Sequence, residues 1–338
     1  MVYLDELTLP ESYKYIAVFP TMRCNLECGF CLNAFEDGFS RKAFREMPPE
    51  NWISGLNRIK TRKGVPVTLG GGEPFVYKGF IDVLNGINPE TEIDILTNLR
   101  WGEKGLDIFI QKVSPERLKR DSPYASIRVS YHPGQHGMEP KSMVKDVKKL
   151  QDAGFSIGVW SVLYPSPEQL QAIYEMQFMC MEAGIDFRLK PFTGKYRGEI
   201  YGDYSKFLGA TEHSFPDMQD GIPFLPERDG RPSSGKVNNR ETKLCECKTT
   251  EVIIGPNGDV YRCHRDLYAG ELSVGNILDP NFKIESKFRP CSLFGLCHPC
   301  DVKAKTNNRQ ELGNTSVVMR NIRDNKDGIK ITVEDLVL

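Results

Sequence analysis

The chain has 338 residues, 40% of them hydrophobic and 26% charged, and a formal net charge of −1. That length fits one large domain, or one large and one small, and the balanced charge excludes a global field that would draw the chain to nucleic acid or to an anionic membrane. No apolar run approaches the ~18–20 residues of a membrane span, and the acidic opening MVYLDELTLPESYKY lacks the basic and apolar regions of a secretion signal, so a cytoplasmic location is expected.

In chain order, YIAVFP (15–20) reads as a strand closed by proline. PPENWISGLNRIKTRKG (48–64) reads as a helix with prolines at its start and glycine just past its end. VPVTLGG (65–71) is a predicted strand and YKGFIDVLNGI a helix. TEIDILTN (91–98) is a strand and GLDIFIQKVS a helix. ASIRVSYH (125–132) is a strand and KSMVKDVKKLQDAG (141–154) a helix ending at glycine. FSIGVWSVLYP (155–165) is a strand, followed by a helix over 166–184 with Ser166 as cap and Pro167 at its first position. IDFRLKPF (185–192) is a sixth strand. Unbroken strand–helix alternation predicts a parallel sheet with right-handed crossovers, and in parallel α/β barrels the chemistry gathers at the carboxyl ends of the strands. From residue 193 the pattern breaks into a polar stretch rich in Gly, Pro and Tyr, read as a linker or lid over 193–244. EVIIGPNGDVYRC (251–263) reads as a hairpin turning at Asn257–Gly258.

Ten cysteines are many for a cytosolic chain, where tight clusters are more often metal ligands or catalytic groups than disulfides. Cys180, in the apolar EMQFMCMEAG, reads as a buried core thiol. The other nine fall in two zones. Cys24, Cys28 and Cys31 sit in MRCNLECGFC, just past the first strand. A structural zinc site wants four ligands, and no fourth cysteine or histidine is near, the closest histidine in sequence being His132. A four-iron cluster held by three thiolates leaves one iron open for a substrate or cofactor.

The pattern C-x3-C-x-aromatic-C, here Cys24, Cys28, Phe30 and Cys31, resembles the signature of the radical S-adenosylmethionine (radical SAM) superfamily. The resemblance implies a partial (βα)6 TIM-like barrel over residues 1–192. It also implies a [4Fe–4S] cluster whose open iron chelates S-adenosylmethionine, and reductive cleavage to a 5′-deoxyadenosyl radical. An electron donor such as flavodoxin or ferredoxin would supply the electron. GGGEP (70–74) resembles the family's glycine-rich turn, which assigns Gly71, Gly72, Glu73 and Pro74 to the methionine amino group: glycines let the backbone come close, and a carboxylate meets an ammonium. SIRVSYHP resembles a fourth-strand pattern that would place Arg128 and Ser130 on the cofactor, with His132 where the pattern has aspartate. LTN (96–98) likewise puts Asn98 near it.

CECKTTEVIIGPNGDVYRC resembles an element of SPASM and twitch modules, which carry auxiliary four-iron clusters. It implies a twitch-like module over 245–338 in which Cys245, Cys263, Cys297 and Cys300 hold one auxiliary [4Fe–4S] cluster. Cys247 rivals Cys245, Cys291 is left over, and His264 and His298 flank ligands. On spacing alone a zinc knuckle would compete for this zone. The expected function is hydrogen abstraction from a small polar substrate such as a sugar, nucleotide sugar or phosphorylated compound, with a net oxidation assisted by the auxiliary cluster as one outcome of that step. The alternatives are a maturase of ribosomal peptides and a non-enzymatic zinc-binding protein. Two features favour the small substrate. Only 14 residues precede the first predicted strand, leaving no room for a leader-binding domain. FRLKPFTGKYRG places Arg188, Lys190, Lys195 and Arg197 near the expected site, with Arg188 and Lys190 on one face of the strand.

Overall fold

The computed structural model describes residues 5–11, 13, 15–28, 31, 44–164, 166–191, 194–196, 199–201, 243–245, 251–261, 263–285 and 289–291. The fold is mixed α/β around a mainly parallel sheet, and the chain divides into two compact units. The first takes its residues from 1–130, 145–158 and 248–287; the second from 131–144, 159–247 and 288–338.

In the first unit β1 (Leu7–Thr8) pairs in parallel with β3 (Ile59–Lys60). The main sheet holds β2 (Tyr15–Val18), β4 (Val67–Leu69), β5 (Ile93–Thr97) and β6 (Ile127–Tyr131), neighbours in that order and all parallel. Helices α1 (Pro49–Asn57), α2 (Phe80–Gly86), α3 (Gly102–Lys112) and α4 (Pro140–Asp152) follow the strands along the chain. Register aligns Val18, Leu69, Ile95 and Ile127 in one row, all fully buried. Each such side chain contributes roughly 1.5–3 kcal/mol by leaving water. The neighbouring row is Ala17, Thr68 and Asp94, so one face is continuously apolar and the other carries polar groups. Asp94 is fully buried and meets Arg120 Nη2 at 2.5 Å and Arg128 Nη2 at 3.2 Å. Both guanidiniums lie over the Tyr124 ring.

The helix expected over 48–64 stops at Asn57. Ile59 is buried in β3, and Gly64, at φ +81°, serves a turn closed by Val65 N–H on Arg62 C=O rather than a helix end. The predicted hairpin forms as β12 (Glu251–Ile254) and β13 (Asp259–Tyr261), with Gly258 at φ +82°. It does not stand apart: β12 pairs in parallel with β2 from Tyr15 to Val18, so the hairpin extends the main sheet and β14 (Ser273–Asn276) adds a further strand. A short helix, α6 (His264–Ala269), follows β13.

In the second unit β7 (Ile157–Leu163, from Val159 on) pairs in parallel with β8 (Phe187–Pro191), joined by α5 (Pro167–Glu182). Ser166 caps α5 by accepting from Gln169 N–H. Cys180 is fully buried on this helix, and burial pushes its thiol up to about 12, as a core cysteine requires. Inside the expected linker a small antiparallel hairpin forms from β9 (Gly194–Tyr196) and β10 (Glu199–Tyr201). β11 (Lys243–Cys245) pairs antiparallel with β15 (Arg289–Cys291), Cys245 opposite Arg289 and Cys291 opposite Lys243.

Candidate cluster and cofactor site

β2 and β4 end side by side, and their ladder continues past both ends. Gly70 N–H donates to Val18 C=O at 2.8 Å, Gly72 N–H to Thr21 C=O at 3.0 Å, and Glu73 N–H to Arg23 C=O at 2.8 Å. The GGGEP turn is thereby bonded to the chain that runs into the cysteine loop. The glycines are a steric necessity. A Cβ on Gly72 would overlap the carbonyl of Arg23, and one on Gly71, at φ +125°, the carbonyl of Thr21.

Cys28 is buried and Cys24 and Cys31 are half-buried, with Cys31 N–H closing a turn on Cys28 C=O at 3.0 Å. Cys24 Sγ accepts from Leu26 N–H at 3.4 Å and from Asn98 Nδ2 at 3.8 Å. Among the described residues no three His, Cys, Asp or Glu side chains converge closely enough to hold one metal ion. In a four-iron cluster each thiolate binds a different iron, so its sulfurs stand farther apart than around one ion. Three thiols on one loop beside a glycine turn are a donor set that suits such a cluster with one iron left open.

Glu73 is 1% exposed, and its carboxylate is occupied from within. It accepts from Thr97 Oγ1 at 2.7 Å, Asn98 N–H at 2.7 Å, Trp101 Nε1 at 3.3 Å and Phe75 N–H at 3.3 Å. Burial pushes this carboxyl up to about 7, with those donors pulling the other way. Pro74 begins the short 3-10 turn that Glu73 caps. These partners tie the Glu73 carboxylate to the end of β5. Asn98, 5% exposed, lies at the same junction. Arg128 is engaged by Asp94, and Ser130 is half-buried two residues further along β6. His132, in the second unit, is pushed down to about 4 by burial and stays neutral near pH 7.

Several residues here carried no legible signal. Thr21 and Arg23 both bond Glu46: Thr21 Oγ1 at 2.5 Å, and Arg23 through Nε and Nη2 at 2.8 Å each. Burial pushes Glu46 up, but Arg23 and Thr21 outweigh it and hold the carboxyl below its usual range. Trp101 stacks on Phe75, centroids 3.4 Å apart. Paired charges and a turn tryptophan look like ordinary surface residues until the fold brings them together.

Cys263 is 8% exposed and caps α6, its Sγ accepting from Asp266 N–H at 3.4 Å. His264 meets the edge of Phe19, the last residue of the first predicted strand but one, at 5.8 Å. The Cys245 and Cys291 side chains and all of Cys247, Cys297, Cys300 and His298 lie outside the described residues. In the second unit Arg188 is 4% exposed, bonded through Nε to Asp186 at 2.8 Å and set over the Trp160 ring. Lys190 is half-buried on the same strand, opposite Val162. The Lys195 side chain and Arg197 lie outside the described residues.

Residues 18–120 match the family model described as the Radical SAM superfamily. Over that stretch the chain is similar to the radical SAM superfamily. That family uses a [4Fe–4S] cluster and S-adenosylmethionine, which agrees with the donor set of the cysteine loop. Two curated relatives match part of the chain. A GTP 3′,8-cyclase of Alkaliphilus metalliredigens is 29% identical over 127 residues, 33% of this chain and 39% of that protein. A probable GTP 3′,8-cyclase of Methanosarcina acetivorans is 34% identical over 110 residues, 29% of this chain and 33% of that protein. The matches thus span well under half the length of either relative. Among solved structures, Streptococcus suis SuiB bound to precursor peptide SuiA is 17% identical, with a TM-score of 0.49, covering 80% of this chain and 63% of that one. No described helix is long and apolar enough to cross a membrane.

Proposed function

We propose that this protein is a radical SAM enzyme acting on a small polar or anionic metabolite. The carrying observation is the run of main-chain bonds that fastens the GGGEP turn to the residues entering the cysteine loop. It ties the turn to the residues just before Cys24, which supports reading the thiols and the turn as parts of one site. When bound, the cluster and S-adenosylmethionine supply a 5′-deoxyadenosyl radical for hydrogen abstraction. Cys24, Cys28 and Cys31 would hold the cluster. Gly71, Gly72 and Pro74 would meet S-adenosylmethionine through their main chain, and Ser130 would serve it at the carboxyl end of β6.

The substrate class draws support from the relatives, whose names describe cyclisation of a nucleotide, and from Lys190. Arg188 lends it less, because Asp186 already meets its charge. An auxiliary cluster on Cys245 (or Cys247), Cys263, Cys297 and Cys300 and an electron donor of flavodoxin or ferredoxin type complete the proposal. Anaerobically reconstituted protein, offered deuterated sugars, nucleotides and phosphorylated metabolites, should place deuterium in 5′-deoxyadenosine. Label arriving only from a peptide would overturn the substrate class. Failure of Cys28→Ala to abolish S-adenosylmethionine cleavage would overturn the cluster assignment.

A further inference from the structure

We propose that Asn98 is a positioning residue for the cluster loop: its side-chain amide, held in place by Glu73, donates to Cys24 Sγ and raises the reduction potential of the cluster bound there. This rests on the reading that Cys24 is a cluster ligand.

The main-chain N–H and both side-chain polar atoms of Asn98 are committed. Its main-chain N–H goes to Glu73 Oε2 at 2.7 Å, and its Oδ1 accepts from Arg100 N–H at 2.9 Å. Its Nδ2 reaches Asn25 Oδ1 at 2.8 Å and Cys24 Sγ at 3.8 Å, a hydrogen-bond distance for sulfur. The amide orientation is therefore over-determined. Its Oδ1 must face the Arg100 N–H and its NH2 must face the thiol, since the reverse would set oxygen against oxygen at Asn25.

The backbone at this point is strained in support of that pose. Leu99, buried and without a glycine's freedom, sits at φ +58°. The left-handed region is unfavourable for any residue that carries a Cβ. Thr97 Oγ1 accepts the Leu99 N–H at 2.9 Å and donates to Glu73, so one carboxylate holds both sides of the bend. Strain at a non-glycine residue persists where surrounding bonds fix it, and such places cluster at functional sites. Here its result is to aim Asn98 at the first cysteine.

The chemistry follows from charge. Taking up one electron makes a thiolate-ligated cluster more negative. An N–H aimed at a ligand sulfur draws off some of that charge and favours the reduced form. Hydrogen bonds to sulfur are among the factors that set the potential of such clusters.

The test is a dithionite redox titration of the whole reconstituted protein, read by the electron paramagnetic resonance signal that Cys28→Ala removes. Asn98→Ala and the shape-preserving Asn98→Asp should both titrate at a more negative potential than wild type, with Asn98→Asp lower still because it sets an acceptor against the sulfur. Glu73→Gln should shift the potential the same way. The Glu73→Gln, Asn98→Ala double variant should shift no further than Asn98→Ala alone, because the two act through one bond. An unmoved potential in Asn98→Asp overturns the proposal, as does a folded Asn98→Asp protein that assembles no cluster, which would make Asn98 an assembly residue. Additive shifts overturn the link through Glu73. A signal that survives Cys28→Ala means instead that the cluster assignment itself has failed.

Discussion

At the scale of single residues, Glu73 is held by side chains that lie outside its motif. Its spacing from the cysteines was visible in the sequence, but its partners are not neighbours: Thr97, Asn98 and Trp101 lie 24, 25 and 28 residues away. The folded carboxyl is pushed from 4.5 up to about 7. Between those values the folded chain keeps a proton that the unfolded chain has released. The stability this group contributes is therefore complete below pH 4.5 and declines as pH rises through about 7, by about 3 kcal/mol in all. Glu73→Gln removes the proton and with it this slope. Melting temperatures of the two proteins at pH 5 and pH 8 should show wild type losing ground to the variant as pH rises. Parallel curves would mean that Glu73 is not the buried titrating group described.

At the scale of elements, the strand–helix alternation was legible because buried parallel strands are short apolar runs set between amphipathic helices. What was not legible depended on partners distant in sequence. Helix α1 ends early because Ile59 is taken by β1, and the 251–261 hairpin joins the main sheet because its first strand finds β2. The cysteine spacing was readable because it is covalent, whereas the turn that secures it needs two glycines for reasons only the fold supplies. That difference is testable. Gly72→Ala sets a methyl against the Arg23 carbonyl and should break the main-chain bonds between turn and loop, so iron content should fall by about one four-iron cluster. Gly64→Ala is the control: φ is +81° but nothing lies within 4 Å of the added methyl. It should cost about 1 kcal/mol of stability and leave iron unchanged. Equal iron loss in both variants would reduce the effect to general destabilisation.

At the scale of the molecule, within the first unit, the chain's beginning and its 248–287 stretch are sewn together by one buried cation. Arg58 is 4% exposed and sits just after α1. Its Nε donates to Asp5 C=O at 2.8 Å, and its Nη1 donates to Ile277 C=O at 2.5 Å and Asp279 C=O at 2.9 Å. The same residue's carbonyl accepts from Leu7 N–H at 2.7 Å, which starts the β1–β3 pairing. A guanidinium can satisfy several carbonyls arriving from different directions, and lysine cannot reproduce that fork. Ile277 in turn donates its N–H to Gly258 C=O at 2.9 Å, so the arginine also steadies the hairpin that extends the sheet beside β2. Arg58→Ala leaves three carbonyls without their charged donor and opens a void behind α1. The expected cost is about 3 kcal/mol. Release should begin locally, because the 273–285 stretch loses its anchor while β2, β4 and β5 keep their ladder. Trypsin should therefore cut after the exposed Lys283 faster in Arg58→Ala, and also in Arg58→Lys, at temperatures where each variant's circular dichroism is still that of the folded protein. Wild-type melting with unchanged cleavage at Lys283 would show that Arg58 does not carry this join.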